Sequence, residues 1–558
     1  MLVLGLADNH DAGAALVRDG ELVAACGQER IDRKKNSGAF PWGAIDAVLD
    51  MVGARYRDVD RVVFGTAYTP SWLLRRFPGF HHEKKGGGNF DYLLNLYIAY
   101  QVALRKSGLA VHEHEACRRL LAKRLSDRGF RKAQVTLADH HMAHAQAAYR
   151  CQGRERCLVL TVDAMGDGVS STVCVGRHGQ LNRHWEQSGF AAVNTYYSRV
   201  TEFLGFTPNR HEGKITGLAA YAEPPPELLE HFRSQLHFDG RRFSRVNYLR
   251  RQHPGDRFYS VLSRYSREEV AAALQQNLEL ALTAFVAHWV DHAGIGDLAV
   301  CGGIFANVKL NQRICELPGV SSLFVFPNMG DGGLCIGAAM ACAGVAPHAL
   351  PTVYLGPSYT DAQIGRELSI AKLKPSRPGD LADAVVDRLV EGKVVARFAG
   401  GMEFGPRALG HRTLLVRPDS EDVNTWLNDR LQRSEFMPFA PVVLDVDAPR
   451  LFHGYDKARH AARFMTVCFD VHPELAEKAP GCVHIDGTAR PQVIREEDDP
   501  EYYAILQGFK ARTGIPALIN TSFNMHEEPI VCSPHDAIRA WKLGRLDSLA
   551  IGPYLVDS

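Results

Sequence analysis

Leu2-Val3-Leu4-Gly5-Leu6-Ala7 and Leu158-Val159-Leu160-Thr161-Val162-Asp163 are two apolar runs that lead into the same pattern. Each is short, rich in Leu and Val and bounded by polar residues, so each reads as a buried strand. After the first come a polar turn with Asp11, a strand from Ala14 to Arg18, the turn pair Asp19-Gly20 and a strand from Leu22 to Ala25. After the second come Asp167, a strand from Ser170 to Val175, a turn at His178-Gly179 and a further strand. A strand–turn–strand–turn–strand start used twice is what a duplicated α/β unit shows, with the loop after each first strand facing a shared cleft.

That pattern is similar to the actin/hexokinase (ASKHA) class of duplicated nucleotide-binding folds. With 558 residues the chain exceeds the roughly 250 to 300 at which a single core stops growing, so a second domain is expected. Apolar spacing from Arg267 to Ala293 predicts a long helix, followed by a strand at Leu298 to Val300. The Pro-rich stretch from Ala346 to Pro357 and the βα pattern from Asp361 place the boundary near 360, giving domains 1–360 and 361–558.

Lys and Arg total 64 against 63 Asp and Glu, so there is no global basic field to draw a nucleic acid or an anionic membrane. The N-terminus lacks a charged region and meets Asp8 before a signal-length apolar stretch forms, and no run of 18 apolar residues follows. Twelve cysteines without a Cys-x-x-Cys pair read as thiols of a reducing cytoplasm, the expected location.

Asp139-His140-His141-Met142-Ala143-His144 has helix-forming composition, and on a helix His140 and His144 share a face. Asp163 and Asp331 stand where strand-end loops should face the cleft. Two His and two carboxylates suit Fe(II), Mn(II) or Zn(II) better than a soft metal; the same residues would equally serve a helix cap or a buried polar network. Cys301-Gly302-Gly303-Ile304-Phe305-Ala306-Asn307 and Asp331-Gly332-Gly333 are glycine turns after strands, able to present N–H groups to a phosphate or simply to pack tightly. In the second domain Arg407 and Arg412 lie on the glycine-rich loop after a strand from Lys393 to Phe398. Arg433 and Arg490 follow, and Asn520, Ser522 and Asn524 come after a strand from Pro516 to Ile519. Guanidinium, amide and hydroxyl groups at strand ends suit an anion, or an ordinary polar surface.

These segments together resemble the NodU/CmcH family of O-carbamoyltransferases, which acts in nodulation-factor and antibiotic tailoring. The resemblance is carried in family order by His10 to Leu16, His140 to Ala145, Glu212 to Tyr221, Gly302 to Asn311, Met402 to Gly410 and Asn520 to Asn524. It implies an N-terminal domain similar to tRNA threonylcarbamoyl-transferases and a C-terminal domain similar to YrdC. In that scheme ATP and carbamoyl phosphate give carbamoyl-adenylate in the C-terminal domain, at a site with Arg407, Arg412, Arg433, Arg490, Asn520, Ser522 and Asn524. The intermediate passes internally to the N-terminal domain, where a hydroxyl of a small-molecule or sugar acceptor attacks it. His140, His144, Asp163 and Asp331 would hold a divalent metal, iron first and Mn(II), Zn(II) or Mg(II) as alternatives, with His10 as the base. Lys35, Gly302, Gly303, Asn307 and Gly332 would meet the nucleotide. No nucleic acid or membrane partner is implied, and a homodimer is compatible with the resemblance.

Two departures stand out: Leu431 and Met437 occupy positions where many members carry cations, and Asn36 follows Lys35 where a His is commoner. Losing two cations from a phosphate pocket leaves a non-catalytic nucleotide-binding protein as one rival reading. A tRNA-modifying threonylcarbamoyl-type transferase and a metal hydrolase are the others. Arg75 to Phe90 and Asn194 to Arg210 are the stretches expected to meet the acceptor.

Overall fold

A computed structural model describes residues 1–77, 90–244, 257–420, 423–430 and 439–558. Arg433, Leu431, Met437 and most of the Arg75 to Phe90 stretch lie outside the described residues. The chain divides into two compact units, one of Met1–Val23 with Gly38–Ala349, the other of Ala24–Ser37 with Leu350–Ser558. The second unit thus takes a segment from near the N-terminus that the sequence reading put in the first domain. The cause is local bonding: Ala25 N–H donates to Leu355 O at 2.8 Å, Arg30 to Gly405 O at 2.8 Å, and Arg33 to Pro529 O and Ile530 O at 2.7 and 2.6 Å.

The duplication is present in the strand order. Strands β1 (Leu2–Ala7), β2 (Gly13–Arg18), β3 (Glu21–Gly27), β4 (Arg61–Phe64) and β5 (Gln134–Leu137) form one sheet in the order β3-β2-β1-β4-β5. Strands β6 (Cys157–Gly166), β7 (Val169–Arg177), β8 (Gln180–Ser188), β9 (Asp297–Cys301) and β10 (Ser322–Val325) form the other in the order β8-β7-β6-β9-β10. In each the first strand is antiparallel to the second and parallel to the fourth. The turns at Asp19-Gly20, Asp167-Gly168 and His178-Gly179 carry positive φ at both residues, the geometry that suits two-residue hairpins.

Every residue of β1 is buried, as a strand covered on both faces requires. The helix Leu334–Cys342 covers β1 at such close range that a Cβ on Gly5 would lie 2.0 Å from Cys335 O. The same helix meets the helix His140–Cys151, where a Cβ on Gly337 would lie 1.9 Å from Ala143 O. The two helices that follow the last strand of each half therefore pack backbone to backbone.

The predicted long helix runs from Arg267 to Ala293, opened by a reciprocal Ser266–Glu269 cap and closed by Gly294 in the left-handed region. Its length and mean hydropathy of 1.2 would allow it to cross a membrane, but 67% of that apolar window is buried within the protein. It is a core helix.

The second unit is built on a mixed sheet of β11 (Val395–Phe398), β12 (Arg412–Val416), β13 (Ala440–Leu444), β16 (Gln492–Ile494), β17 (Ala517–Ser522), β18 (Ser548–Ile551) and β19 (Tyr554–Asp557). Their order is β16-β13-β17-β12-β11-β18-β19, with β14 (Phe469–Asp470) and β15 (Thr488–Ala489) paired separately. Phe398, Leu414, Ile519, Leu549 and Trp541 lie in its core. Strand β17 corrects the sequence reading: Asn520 and Ser522 lie within it, paired to Leu415 and Thr413, rather than in a loop after it.

Candidate metal centre

Asp139 accepts from Met142 N–H at 2.9 Å and so caps the helix His140–Cys151. The helix then carries His140 and His144 one turn apart on one buried face. Asp163 leaves β6 where the β6–β7 register, regular from Cys157↔Gly176 to Val162↔Ser171, breaks before Gly166↔Val169. Such an irregularity re-aims a side chain, here towards the two imidazoles. Asp331 starts the one-turn segment Asp331–Gly333 that opens the helix Leu334–Cys342.

The four side chains converge. His140 Nε2 lies 3.3 Å from Asp163 Oδ2 and 3.6 Å from Asp331 Oδ1; His144 Nε2 lies 3.2 and 3.4 Å from the same atoms. All four donor atoms fall within 4.8 Å of one another. Nitrogen and oxygen ligands bonded at about 2.0 to 2.2 Å stand roughly 3 to 3.5 Å apart around one ion, so this donor set fits a divalent metal.

The remaining atoms of the ligands are held from behind. Asp163 Oδ1 accepts from Ala164 N–H (2.7 Å), Asn194 Nδ2 (3.2 Å) and Gly303 N–H (3.3 Å). Asp331 Oδ2 accepts from Asn9 Nδ2 at 2.7 Å and faces His10 Nδ1 at 3.5 Å. His144 Nδ1 lies 3.3 Å from Cys301 Sγ. His141, between the two, turns away to Thr161 Oγ1 (2.7 Å) and Val169 O (2.9 Å). Burial and the neighbouring His140 and His144 push its pKa well down, so it stays neutral.

Burial opposes charge on His140, His144 and Asp163, yet pairing outweighs it. Hydrogen bonds from His140 and His144 hold Asp163 well below the usual carboxylate range. Cys301, Asp163 and Asp331 raise His144 well above the usual imidazole value, and Asp331 and Asp163 raise His140. Two carboxylates facing two imidazoles would exchange those protons for a cation on binding a metal.

His10 stands at the rim with its side chain half exposed. Gly302 adopts φ +111°, and a Cβ there would lie 2.2 Å from Val162 O, so the turn after β9 presses on the end of β6. Gly303 directs its N–H to Asp163. Asn307, expected at a nucleotide, caps the helix Val308–Glu316 by accepting from Leu310 N–H and exchanges hydrogen bonds with the Gln275 amide. Gly332 is partly exposed beside the ligand Asp331. Lys35, expected with these residues, belongs to the segment Ala24–Ser37 of the second unit and is exposed there.

In the second unit Arg412 is fully buried, its guanidinium stacked 3.7 Å from the Phe398 ring centroid and bonded to carbonyls of Ala399, Gly400, His411 and Pro357. It shapes the loop and offers no free fork to an anion. Asn520 is likewise spent, accepting from Thr413 Oγ1 and donating to Ala408 O and Gln492 Oε1. Asn524 donates to Met525 O and Glu528 O and shapes its turn. Arg407, Arg490 and Ser522 are partly exposed.

Asn9, Asn194, Cys301 and Gly166 are components that sequence reasoning missed. Asn9 sits next to His10 in the motif and was within reach of a sequence argument; the others act across the fold and leave no local signal.

The carbamoyltransferase N-terminus family model matches residues 2–340, and the carbamoyltransferase C-terminus model matches residues 386–558. The chain is 33% identical over 468 residues to an uncharacterised protein of Methanocaldococcus jannaschii, covering 78% of this chain and 76% of that protein. Nodulation protein NolNO of Sinorhizobium fredii is 29% identical over 566 residues, covering 98% and 79%. Among solved structures, HypF of T. kodakarensis aligns at 12% identity over 62% of this chain and 47% of its own, with a TM-score of 0.32.

Proposed function

The chain belongs to the carbamoyltransferase family, and from that premise we propose that it hydrolyses carbamoyl phosphate to carbamate and phosphate, joins the carbamate to ATP as carbamoyl-adenylate with loss of pyrophosphate, and passes the carbamoyl group to a hydroxyl of a small-molecule or sugar acceptor. The observation that supports this reading most is the buried convergence of His140, His144, Asp163 and Asp331 beside the half-exposed His10. The mixed nitrogen and oxygen set suits Fe(II), with Mn(II) and Zn(II) next. A divalent ion there would offset charge on the nucleotide phosphate as AMP departs.

The chain's own groups supply the rest. His10 Nδ1 is turned to Asp331 at 3.5 Å and Nε2 stands 3.9 Å from Asp11 Oδ2, and this half-exposed ring is the group proposed to take the proton of the acceptor hydroxyl. The hydroxyl oxygen bonds to the carbamoyl carbon, the bond from that carbon to the phosphate oxygen breaks, and AMP leaves. Arg407, Arg490 and Ser522 of the second unit are the groups proposed to meet carbamoyl phosphate and ATP, with Arg433 beside them in sequence.

The test is carbamoyl-phosphate-dependent formation of AMP from ATP by the purified full chain supplied with Fe(II). AMP that depends on carbamoyl phosphate, and that needs more carbamoyl phosphate to form in Arg490→Ala, supports the reading. Absence from the wild-type protein, with Fe(II), Mn(II) and Zn(II), of both AMP and carbamoyl-phosphate-dependent release of pyrophosphate from ATP overturns it.

A further inference from the structure

We infer that Cys301 is a positioning residue for the metal centre, the group that fixes which nitrogen of His144 faces the metal; this rests on the metal reading above. His144 sits at zero exposure with Nε2 turned to Asp163 and Asp331, so Nε2 must be free of its proton for an ion to bind there. The proton then belongs on Nδ1, and in the buried pocket that N–H needs an acceptor. Cys301 Sγ is that acceptor, 3.3 Å from Nδ1.

The thiol is itself oriented for the task. Its S–H donates to Met329 O at 3.3 Å, which leaves the sulfur lone pairs towards His144. Cys301 ends β9, and two residues on Gly303 gives its N–H to Asp163 Oδ1. Gly302 between them fits against Val162 O only because it lacks a Cβ. One three-residue turn therefore orients two of the four candidate ligands. A glycine turn that reads in sequence as a phosphate cradle serves in the fold as the backing of the ligand set. His140 contrasts with His144: among the described residues its Nδ1 has no hydrogen-bond partner, and its ring is placed by the backbone and by Gly166.

The test uses Co(II) as a visible probe, titrated into the metal-free full chain and measured again by competition with a chelator. Loss of an outer partner of a metal-bound imidazole lowers affinity by about 10- to 100-fold, so Cys301→Ala should weaken Co(II) by that factor and shift its visible bands. Cys301→Ser, which keeps an acceptor, should lose less. Metal-free Cys301→Ala and Cys301→Ser are melted alongside wild type, and each should unfold in one cooperative transition above the titration temperature, so that the loss of Co(II) affinity is read on folded protein. Unchanged Co(II) affinity in Cys301→Ala, or a loss in Cys301→Ser as large as in Cys301→Ala, overturns the inference. If wild-type protein binds no Co(II), or binds it equally well in His144→Ala, the metal reading itself fails, and the two failures are told apart.

Discussion

Gly166 and His140 share a space that one more carbon would fill: a Cβ on Gly166 would lie 2.0 Å from His140 Cγ and 2.2 Å from Cδ2. The ring is fully buried and cannot step aside without leaving the ligand set. Its backbone N–H is tied to Asp167 Oδ2 at 2.9 Å, and the same carboxylate receives the N–H groups of Ala67 and Tyr68 at 2.9 Å each. Gly166→Ala should therefore expel the imidazole, with a loss of metal affinity of about 100-fold or more at a stability cost of about 1 to 3 kcal/mol typical of overpacking. Metal titration followed by thermal melting separates the two effects, and an affinity equal to wild type would sink the steric argument.

Metal should stabilise the protein. A ligand that binds only the folded state at about a hundredfold over its Kd adds roughly 2.7 kcal/mol. Melting with and without excess Fe(II), Mn(II) or Zn(II) should show the rise in wild type and none in Asp163→Asn, because Asp163 Oδ2 faces both imidazoles. A rise of equal size in the variant would place the ion elsewhere.

Two arginines should fail in different ways. Arg412 bonds four backbone carbonyls at zero exposure, so Arg412→Met should lower stability by about 3 kcal/mol or more through buried carbonyls left without donors. Arg490 is partly exposed, and Arg490→Ala should raise KM for carbamoyl phosphate with little change in melting. Equal melting for the two variants would mean that Arg412 is not the structural member of the pair.

His460 gives the second unit a defined acid sensitivity. Burial and the neighbouring Arg463 lower its pKa from 6.5 to about 4, against the partial support of a hydrogen bond to Leu350 O. Between those values the unfolded chain binds a proton that the folded chain does not, so stability falls as pH falls, by at most about 1.4 kcal/mol per pH unit, and this group adds no further loss below about pH 4. His460→Gln should flatten the melting temperature against pH between about 6.5 and 4. A curve parallel to wild type over that window would show that His460 keeps its proton in the folded state.

Much of the first unit was legible in the chain. The two openings at Leu2 and Leu158, the hairpin turns at Asp19-Gly20 and His178-Gly179 and the helix from Arg267 to Ala293 are written in local alternation, turn chemistry and capping residues. The candidate ligands His140, His144, Asp163 and Asp331 could be named because helix spacing and strand ends are local properties. For Arg412, Asn307 and Asn520 the fold adds hydrogen bonds that no local pattern displays. A polar side chain looks available to a ligand until the fold shows which groups it already serves.

The sequence by itself determined the strand periodicity, the duplicated openings, the helix that carries His140 and His144, and the family to which the chain belongs. Only the tertiary structure decided that four candidate ligands separated by up to 191 positions (331 − 140) meet within 4.8 Å. It alone set Cys301 and Gly303 behind two of them and left room at Gly166 for an imidazole. The physical reason is range: periodicity and turn propensity act over a few residues, whereas the hydrogen bonds and close contacts that aim a side chain form only after distant segments have packed.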